Sequence, residues 1–204
     1  MIQPAPGVAF TWSGDGDLRA DEDRRRVVAS DLGIERAWAV VDQVHGSQTR
    51  VVAAAGTAGE GDALVSTRPH LPLAIFTADC LGVVLSGPGT VAVAHAGWRG
   101  LAAGVLEAAA ETMAAAGAAP VSGYIGPGIG PCCFEVGEEV ADLFGGDVST
   151  TTWGTTSVDL VAAATRRLAS IEVWVDGRCT ACGGGFSHRR DSTPDRLAAL
   201  GWIA

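Results

Sequence analysis

No lysine occurs in this chain. All 14 basic residues are arginine, set against 23 acidic ones, and the net charge is −9. An acidic chain with dispersed arginines presents no surface that tracks phosphates, so non-specific nucleic-acid binding is not expected. The one cluster, Arg24-Arg25-Arg26, reads as the solvated face of a helix. Long hydrophobic runs are missing too. Hydrophobic residues make up 48% of the chain, yet they come in short stretches broken by glycine and charge. None approaches the roughly 18 apolar residues of a membrane span. The segment MIQPAPGVAF has no basic region leading into an apolar one, so no secretory signal is read there and a cytoplasmic location is expected. Five cysteines are an odd number, and in that compartment structural disulfides are disfavoured. At least some of the thiols are then core residues, ligands or nucleophiles.

At 204 residues the chain is long enough to bury a core without staples, and it reads as one domain over 1–204. Apolar periodicity and turn residues predict helices over 21–32, 101–116, 135–144 and 158–169, with a C-terminal helix near 195–200. Strands are predicted over 37–41, 51–54, 63–65, 73–76, 83–85, 91–94 and 123–125, the last of them over 171–175. The stretch AGEGD before residue 63 reads as loop. Helices and strands are mixed rather than strictly alternating, which favours an α+β fold over a doubly wound sheet.

The chemistry concentrates in FTADCLGVVLSGPGTVAVAHAGWRG. CLGVVL and TVAVAH read as strands, and SGPG between them is turn chemistry. A hairpin centred between Gly87 and Pro88 would set Cys80 directly opposite His95, with facing Cβ atoms about 4.5–5.5 Å apart. A thiolate and an imidazole at that separation can share a metal ion or exchange a proton. A slip of one residue would send them to opposite faces. His45, in DQVHGSQ just after a strand, adds a third group. Two His and one Cys make a zinc-type donor set, and three protein ligands leave a fourth position for water or substrate, as in catalytic sites. Copper also accepts these donors. Without metal, the same trio is a Cys nucleophile with a His base. Asp79, next to Cys80, should point to the other face of a regular strand. After His95, AGWRG enters a helix whose free N–H groups and dipole favour an anion, and Arg99 adds a fork-shaped cation suited to phosphate. Cys179 and Cys182 form a CxxC, but a zinc ribbon needs two such pairs and the adjacent Cys132-Cys133 lacks the spacing. That CxxC is read as incidental or structural.

DQVHGSQ, GDALVST, TADCLGVVL, AVAHAGWRG, YIGPGIGPCCFEVGEEV, CT and FSHRRD occur in the order seen in the YfiH-type family. Its members are described as multifunctional purine nucleoside phosphorylases, formerly as laccase-like polyphenol oxidases. From about residue 38 to the C-terminus the chain resembles that family. The resemblance implies an α+β fold with α/β/β/α layers and mixed sheets, similar to the catalytic domain of cytotoxic necrotizing factors. It implies that His45, Cys80 and His95 form a metal-binding catalytic centre, usually zinc. It implies phosphorolysis of adenosine, inosine and methylthioadenosine to free base and ribose 1-phosphate, with adenosine deamination at the same site. For phosphate the candidates are Arg99, then Arg189 and Arg190 of FSHRRD. The expected partners are small-molecule nucleosides and phosphate, with no nucleic acid and no membrane, and the chain is expected to be a monomer or homodimer. The N-terminal segment FTWSGDGDLRADEDRRR departs from the family, lacking its usual Arg and Gly-Gly, and His188 stands where a Tyr is usual. Three other readings compete. One is a cysteine hydrolase of an amide bond, as in cell-wall precursor editing, with Cys80 as nucleophile and His95 as base. The others are a copper-dependent polyphenol oxidase and a non-catalytic metal- or partner-binding module.

Overall fold

Strands that are apolar on both faces must lie in sheets covered on both sides. Leu73–Thr77 and Thr90–Ala96 are buried at every position. The computed structural model, which describes residues 1–204, meets that demand with two six-stranded sheets laid face to face. The first runs, edge to edge, Ile2–Ala5, Val8–Phe10, Leu197–Gly201, Leu73–Thr77, Ala39–Asp42 and Gly56–Glu60. The second runs Glu172–Val175, Ser122–Ile125, Leu81–Gly87, Thr90–Ala96, Ala63–Ser66 and Thr49–Val51. Both contain parallel and antiparallel pairs.

Side-chain alternation assigns the layers. Val84, Val91 and Val93 of the second sheet pack with Val8, Phe10, Leu73, Ile75 and Ala199 of the first, forming the core between the sheets. The alternate residues Val83, Leu85, Ala92 and Ala94 face outward onto the helices Val105–Ala116 and Leu160–Arg167. On the far side, Ala74, Phe76, Ala198 and Leu200 of the first sheet meet Val28 and Ala29 of the helix Glu22–Leu32. The order is α/β/β/α, and the α+β sandwich with mixed sheets stands as expected. The sheets approach closely at Gly82, where a Cβ would lie 2.5 Å from the Ala199 Cβ. No helix is long and apolar enough to cross a membrane.

Helix Glu22–Leu32 is bounded as its sequence dictates. The Asp21 carboxylate accepts from the backbone N–H groups of Asp23 and Arg24, and Gly33 closes the helix in the left-handed region at φ 65°. Arg24 and Arg26 face solvent. Arg25 does not: its guanidinium lies over Phe76 and donates to the Leu18 carbonyl at 2.6 Å.

Several sequence expectations give way. The predicted helix at 195–200 is the strand Leu197–Gly201, slotted between Val8–Phe10 and Leu73–Thr77. The strand at 172–175 is therefore not the last. The stretch read as loop before residue 63 contains the edge strand Gly56–Glu60, whose backbone pairs in parallel with Ala39–Asp42. The helix predicted over 101–116 breaks at Gly104, φ 83°, into Trp98–Ala102 and Val105–Ala116. Only Glu138–Ala141 of 135–144 is helical.

The hairpin register also differs. Leu81 pairs with Ala96, Gly82 with His95 and Gly87 with Thr90, so Pro88 and Gly89 alone make the turn, with Gly89 at φ 68°. Cys80 is therefore not opposite His95; Gly82 is. The displacement is two residues, and a two-residue shift preserves the face. Cys80 becomes the diagonal neighbour of His95 on the same side of the sheet.

Candidate functional site

His95 belongs to the alternation of Val91 and Val93 and so points between the sheets, at the open end of the sandwich. On its other flank the pairing of Ala63 with Ala94 continues one step to Asp62. The Asp62 carbonyl accepts the His95 backbone N–H at 2.7 Å. The Asp62 carboxylate accepts from His95 Nδ1 at 2.8 Å. The same carboxylate accepts the backbone N–H groups of Val44, His45 and Gly46 at 3.3, 2.9 and 2.6 Å. One fully buried carboxylate thus orients one imidazole and shapes the loop that carries the other. His45 sits in that loop with φ 63°. Gln43 moors the loop to the first sheet, donating to the Phe76 carbonyl at 2.8 Å and accepting the Phe76 N–H at 2.9 Å.

Cys80 stands at the corner where the chain leaves Leu73–Thr77 of one sheet for Leu81–Gly87 of the other. Asp79, φ 86°, makes the bend. The irregular backbone turns its carboxylate into a bracket: Thr180 Oγ1 donates to it at 2.7 Å and the Arg189 backbone N–H at 2.6 Å. Asp79 is thus buried in the cavity wall rather than held away on the opposite face of a strand. Gly97 and Gly100 of HAGWRG are required by close approach. A Cβ on Gly97 would lie 2.7 Å from Cys80 Sγ, and one on Gly100 3.1 Å from the carbonyls of Gly46 and His95.

The ligand atoms of His45, Cys80 and His95 lie within 4.8 Å of one another, and the two imidazoles meet edge to face at 4.7 Å. With Nδ1–H of His95 committed to Asp62, its Nε2 is the nitrogen left for a ligand, the carboxylate–imidazole–metal arrangement of zinc centres. The sequence alone assigns Asp62 no role. Its signal was the GD step before a buried strand, legible only once the strand is paired.

Electrostatics follow from this packing. Burial alone would raise the Cys80 thiol, but hydrogen bonds from His45 and His95 and the charge of His95 bring it from 9.0 down to about 6. Burial would lower His95, but Asp62 and the Cys80 thiolate raise it from 6.5 to about 9. Between those values the metal-free pair is thiolate and imidazolium. In chelator-treated protein, alkylation of Cys80 by iodoacetamide is therefore expected to rise through pH 6 and to be lost below it, as the thiolate takes up its proton. Peptide mass spectrometry over a pH series checks this. A rate that climbs only near pH 9 contradicts the contacts.

The cavity above this group is about 300 Å³, the lower range for a small-molecule pocket. It is lined by His45, Cys80 and His95, by Phe76, Ile129 and Phe134, and by three arginines, Arg19, Arg189 and Arg196. Of the arginines singled out by sequence, Arg189 lines this cavity and Arg99 and Arg190 do not. Arg99 is exposed, with its guanidinium stacked 4.2 Å over the Trp98 ring, and does not line the cavity. The Gly-flanked helix entry lies against the Cys80 sulfur. Arg190 donates to the carbonyls of Thr180, Ala181 and Gly185 and pairs with Asp191. Arg189 is in place, its guanidinium over Phe134 at 5.3 Å. Arg19 comes from the atypical N-terminal segment, which supplies a cavity arginine after all, and Arg196 immediately precedes the strand Leu197–Gly201. His188 also lines the cavity.

Residues 10–204 match the family model described as multi-copper polyphenol oxidoreductase laccase. A Streptomyces griseus protein called purine nucleoside phosphorylase ORF3 is 39% identical over 93% of this chain and 84% of its own length. Purine nucleoside phosphorylase YfiH of Escherichia coli K12 is 35% identical over 93% of this chain and 83% of its own. The crystal structure of YlmD from Geobacillus stearothermophilus superposes with a TM-score of 0.81 at 28% identity, covering 98% of this chain and 89% of that one.

Proposed function

Because the chain belongs to the multi-copper polyphenol oxidoreductase laccase family and is similar to proteins named purine nucleoside phosphorylases, we propose that it is a zinc-dependent purine nucleoside phosphorylase. It would cleave adenosine, inosine and methylthioadenosine with phosphate to free base and ribose 1-phosphate, and would deaminate adenosine as a side activity. The observation that carries this reading is one convergent group, His45, Cys80 and His95 backed by Asp62, at the floor of a cavity with three arginines.

The donor set fits zinc, with one soft sulfur and two imidazole nitrogens, one of them oriented by a buried carboxylate. A bound zinc ion supplies Lewis acidity and lowers the pKa of a bound water. The protein's own residues do the rest. Arg19, Arg189 and Arg196 concentrate positive charge in a molecule of net charge −9, which is what a phosphate needs when it attacks C1′ and the bond to the base nitrogen breaks. Phe76, Ile129 and Phe134 give the base an apolar wall. Asp62 keeps the His95 ring in one tautomer.

Multi-copper oxidation is disfavoured by composition. Several copper ions need many imidazoles, and the chain has four histidines in all. The cysteine hydrolase reading draws on the Cys80–His95 thiolate pair and is separable. A thiol hydrolase survives metal stripping and dies on alkylation; the proposed enzyme dies on stripping and recovers with zinc.

The deciding assay incubates zinc-loaded protein with adenosine, with and without phosphate, and separates the products. Adenine appearing only with phosphate is the expected result, with inosine as the minor product. Neither product would remove the nucleoside assignment.

A further inference from the structure

Four of the five cysteines lie outside the site above. In the sequence, Cys179 and Cys182 lack a second CxxC pair, and the adjacent Cys132-Cys133 lacks that spacing. The fold brings the two pairs together. A short parallel bridge joins Gly128 to Cys179, with the Thr180 N–H donating to the Gly128 carbonyl at 2.9 Å. This sets the loop after Ser122–Ile125 against the loop after Glu172–Val175. All four sulfurs then lie within 4.8 Å of one another, and Cys132 Sγ and Cys182 Sγ are 3.7 Å apart.

We propose that Cys132, Cys133, Cys179 and Cys182 form a second metal centre, a closed four-thiolate zinc site that fastens together two loops bordering the cavity. The size of the group is the first argument. With zinc–sulfur bonds of about 2.3 Å, the edge of a regular tetrahedron is about 3.8 Å, which the Cys132–Cys182 separation matches. Disulfides would use the sulfurs in pairs at about 2.05 Å, and nothing in pairwise bonding requires all four in one cluster. Location is the second argument. Cysteines that serve as core hydrophobes are fully buried, but here Cys182 is exposed and Cys132 and Cys179 only half-buried.

The backbone around the sulfurs also suits thiolate ligands. The Gly130 N–H donates to Cys179 Sγ at 3.2 Å, the outer hydrogen bond that thiolate ligands take. The CxxC turn closes at Gly183, whose N–H donates to the Cys179 carbonyl at 2.8 Å, and a Cβ there would lie 2.4 Å from that oxygen. Only glycine allows this turn. Arg190 holds the turn's two middle carbonyls, those of Thr180 and Ala181.

The consequence reaches the cavity. One fastened loop carries Ile129 and leads into Phe134; the other carries Thr180 and leads into His188 and Arg189. Thr180 and Arg189 are the donors that hold the Asp79 carboxylate beside Cys80. Zinc displaces the four thiol protons to solvent and stabilises the fold by the free energy of its binding.

The test compares zinc content per chain, by elemental analysis, in protein purified under reducing conditions. The Cys132→Ser/Cys182→Ser protein is expected to hold about one zinc fewer than native, and Cys80→Ala to keep that zinc. The difference is read whatever the His45–Cys80–His95 group holds, so failure of the catalytic reading is distinguishable. Equal zinc in native and double-variant protein overturns the proposal. Should the double variant not fold, Cys80→Ala reloaded with cobalt(II) is expected to show the intense thiolate-to-metal absorption of a tetrahedral four-sulfur site. Its absence, or a Cys132–Cys182 disulfide found under reducing conditions, equally overturns it.

Discussion

Cys80→Ala is expected to release the metal from the His45–Cys80–His95 centre and to lower kcat/KM for the nucleoside by about a thousandfold or more. Metal-assisted catalysis contributes several kcal/mol, and about 4 kcal/mol corresponds to that factor. With the sulfur gone, two imidazoles remain, one fewer protein ligand than catalytic zinc sites use. The fold should tolerate the change. Cys80 is half-buried at a bend, and the bend is held by Asp79, Thr180 and Arg189 rather than by the thiol. Metal analysis, steady-state kinetics and a melting curve therefore read three different things. Loss of metal and turnover with a melting temperature within a few degrees of native is the predicted pattern. Native turnover in Cys80→Ala would remove the centre. Turnover by native protein that survives chelation but not alkylation would transfer the role of Cys80 to a nucleophile.

Asp62 should matter nearly as much, through a different route. Its side chain is fully buried and accepts one imidazole and three backbone N–H groups. Asp62→Asn keeps the shape but loses the charge and turns a donor toward donors. Metal affinity is expected to fall about 10–100-fold, as when a carboxylate behind a ligating histidine is lost. Asp62→Ala leaves those donors buried and unpaired, a cost of about 3–5 kcal/mol, or a melting temperature lower by roughly 10 °C for a chain of this length. The sign with pH is fixed. Burial pushes the Asp62 carboxyl up, but the His95 contact and the N–H groups of Gly46 and His45 prevail and hold it below 3.8. A depressed carboxylate stabilises the fold above its unfolded pKa and loses that contribution as pH falls through its folded value. Native protein should therefore lose stability on acidification below about pH 4, and the Asn variant should lack that component. Chelator competition and melting curves across pH measure both effects. An Asn variant with native zinc affinity would show that Asp62 does not orient a ligand.

Legibility tracked how local the deciding interactions are. Helix Glu22–Leu32 could be read because its cap, its first-turn acids and its terminal glycine are all in the sequence. The hairpin could be read because Pro88-Gly89 is turn chemistry between two apolar runs. Its register could not be, since turn residues one position apart are chemically alike, and the reading was two residues out. The face survived because side-chain direction has a period of two. Leu197–Gly201 was misread because Leu and Ala favour helix locally, while the slot between Val8–Phe10 and Leu73–Thr77 needs a strand. Gly56–Glu60 was missed because an edge strand of glycine and small residues is held by backbone pairing, which leaves no side-chain pattern.

By itself, the order of residues determined the α+β class, the buried strands, the Cys80–His95 face and, through its motifs, the family. Each is carried by neighbours in the chain or by periodicity along it. Folding was needed to put Asp62 behind His95, to bring Arg19 and Arg196 but not Arg99 to the cavity, and to gather two cysteine pairs into a group of four. Those pairings join residues tens to more than a hundred positions apart. Strand pairing and sheet stacking set such distances, and no local propensity encodes them.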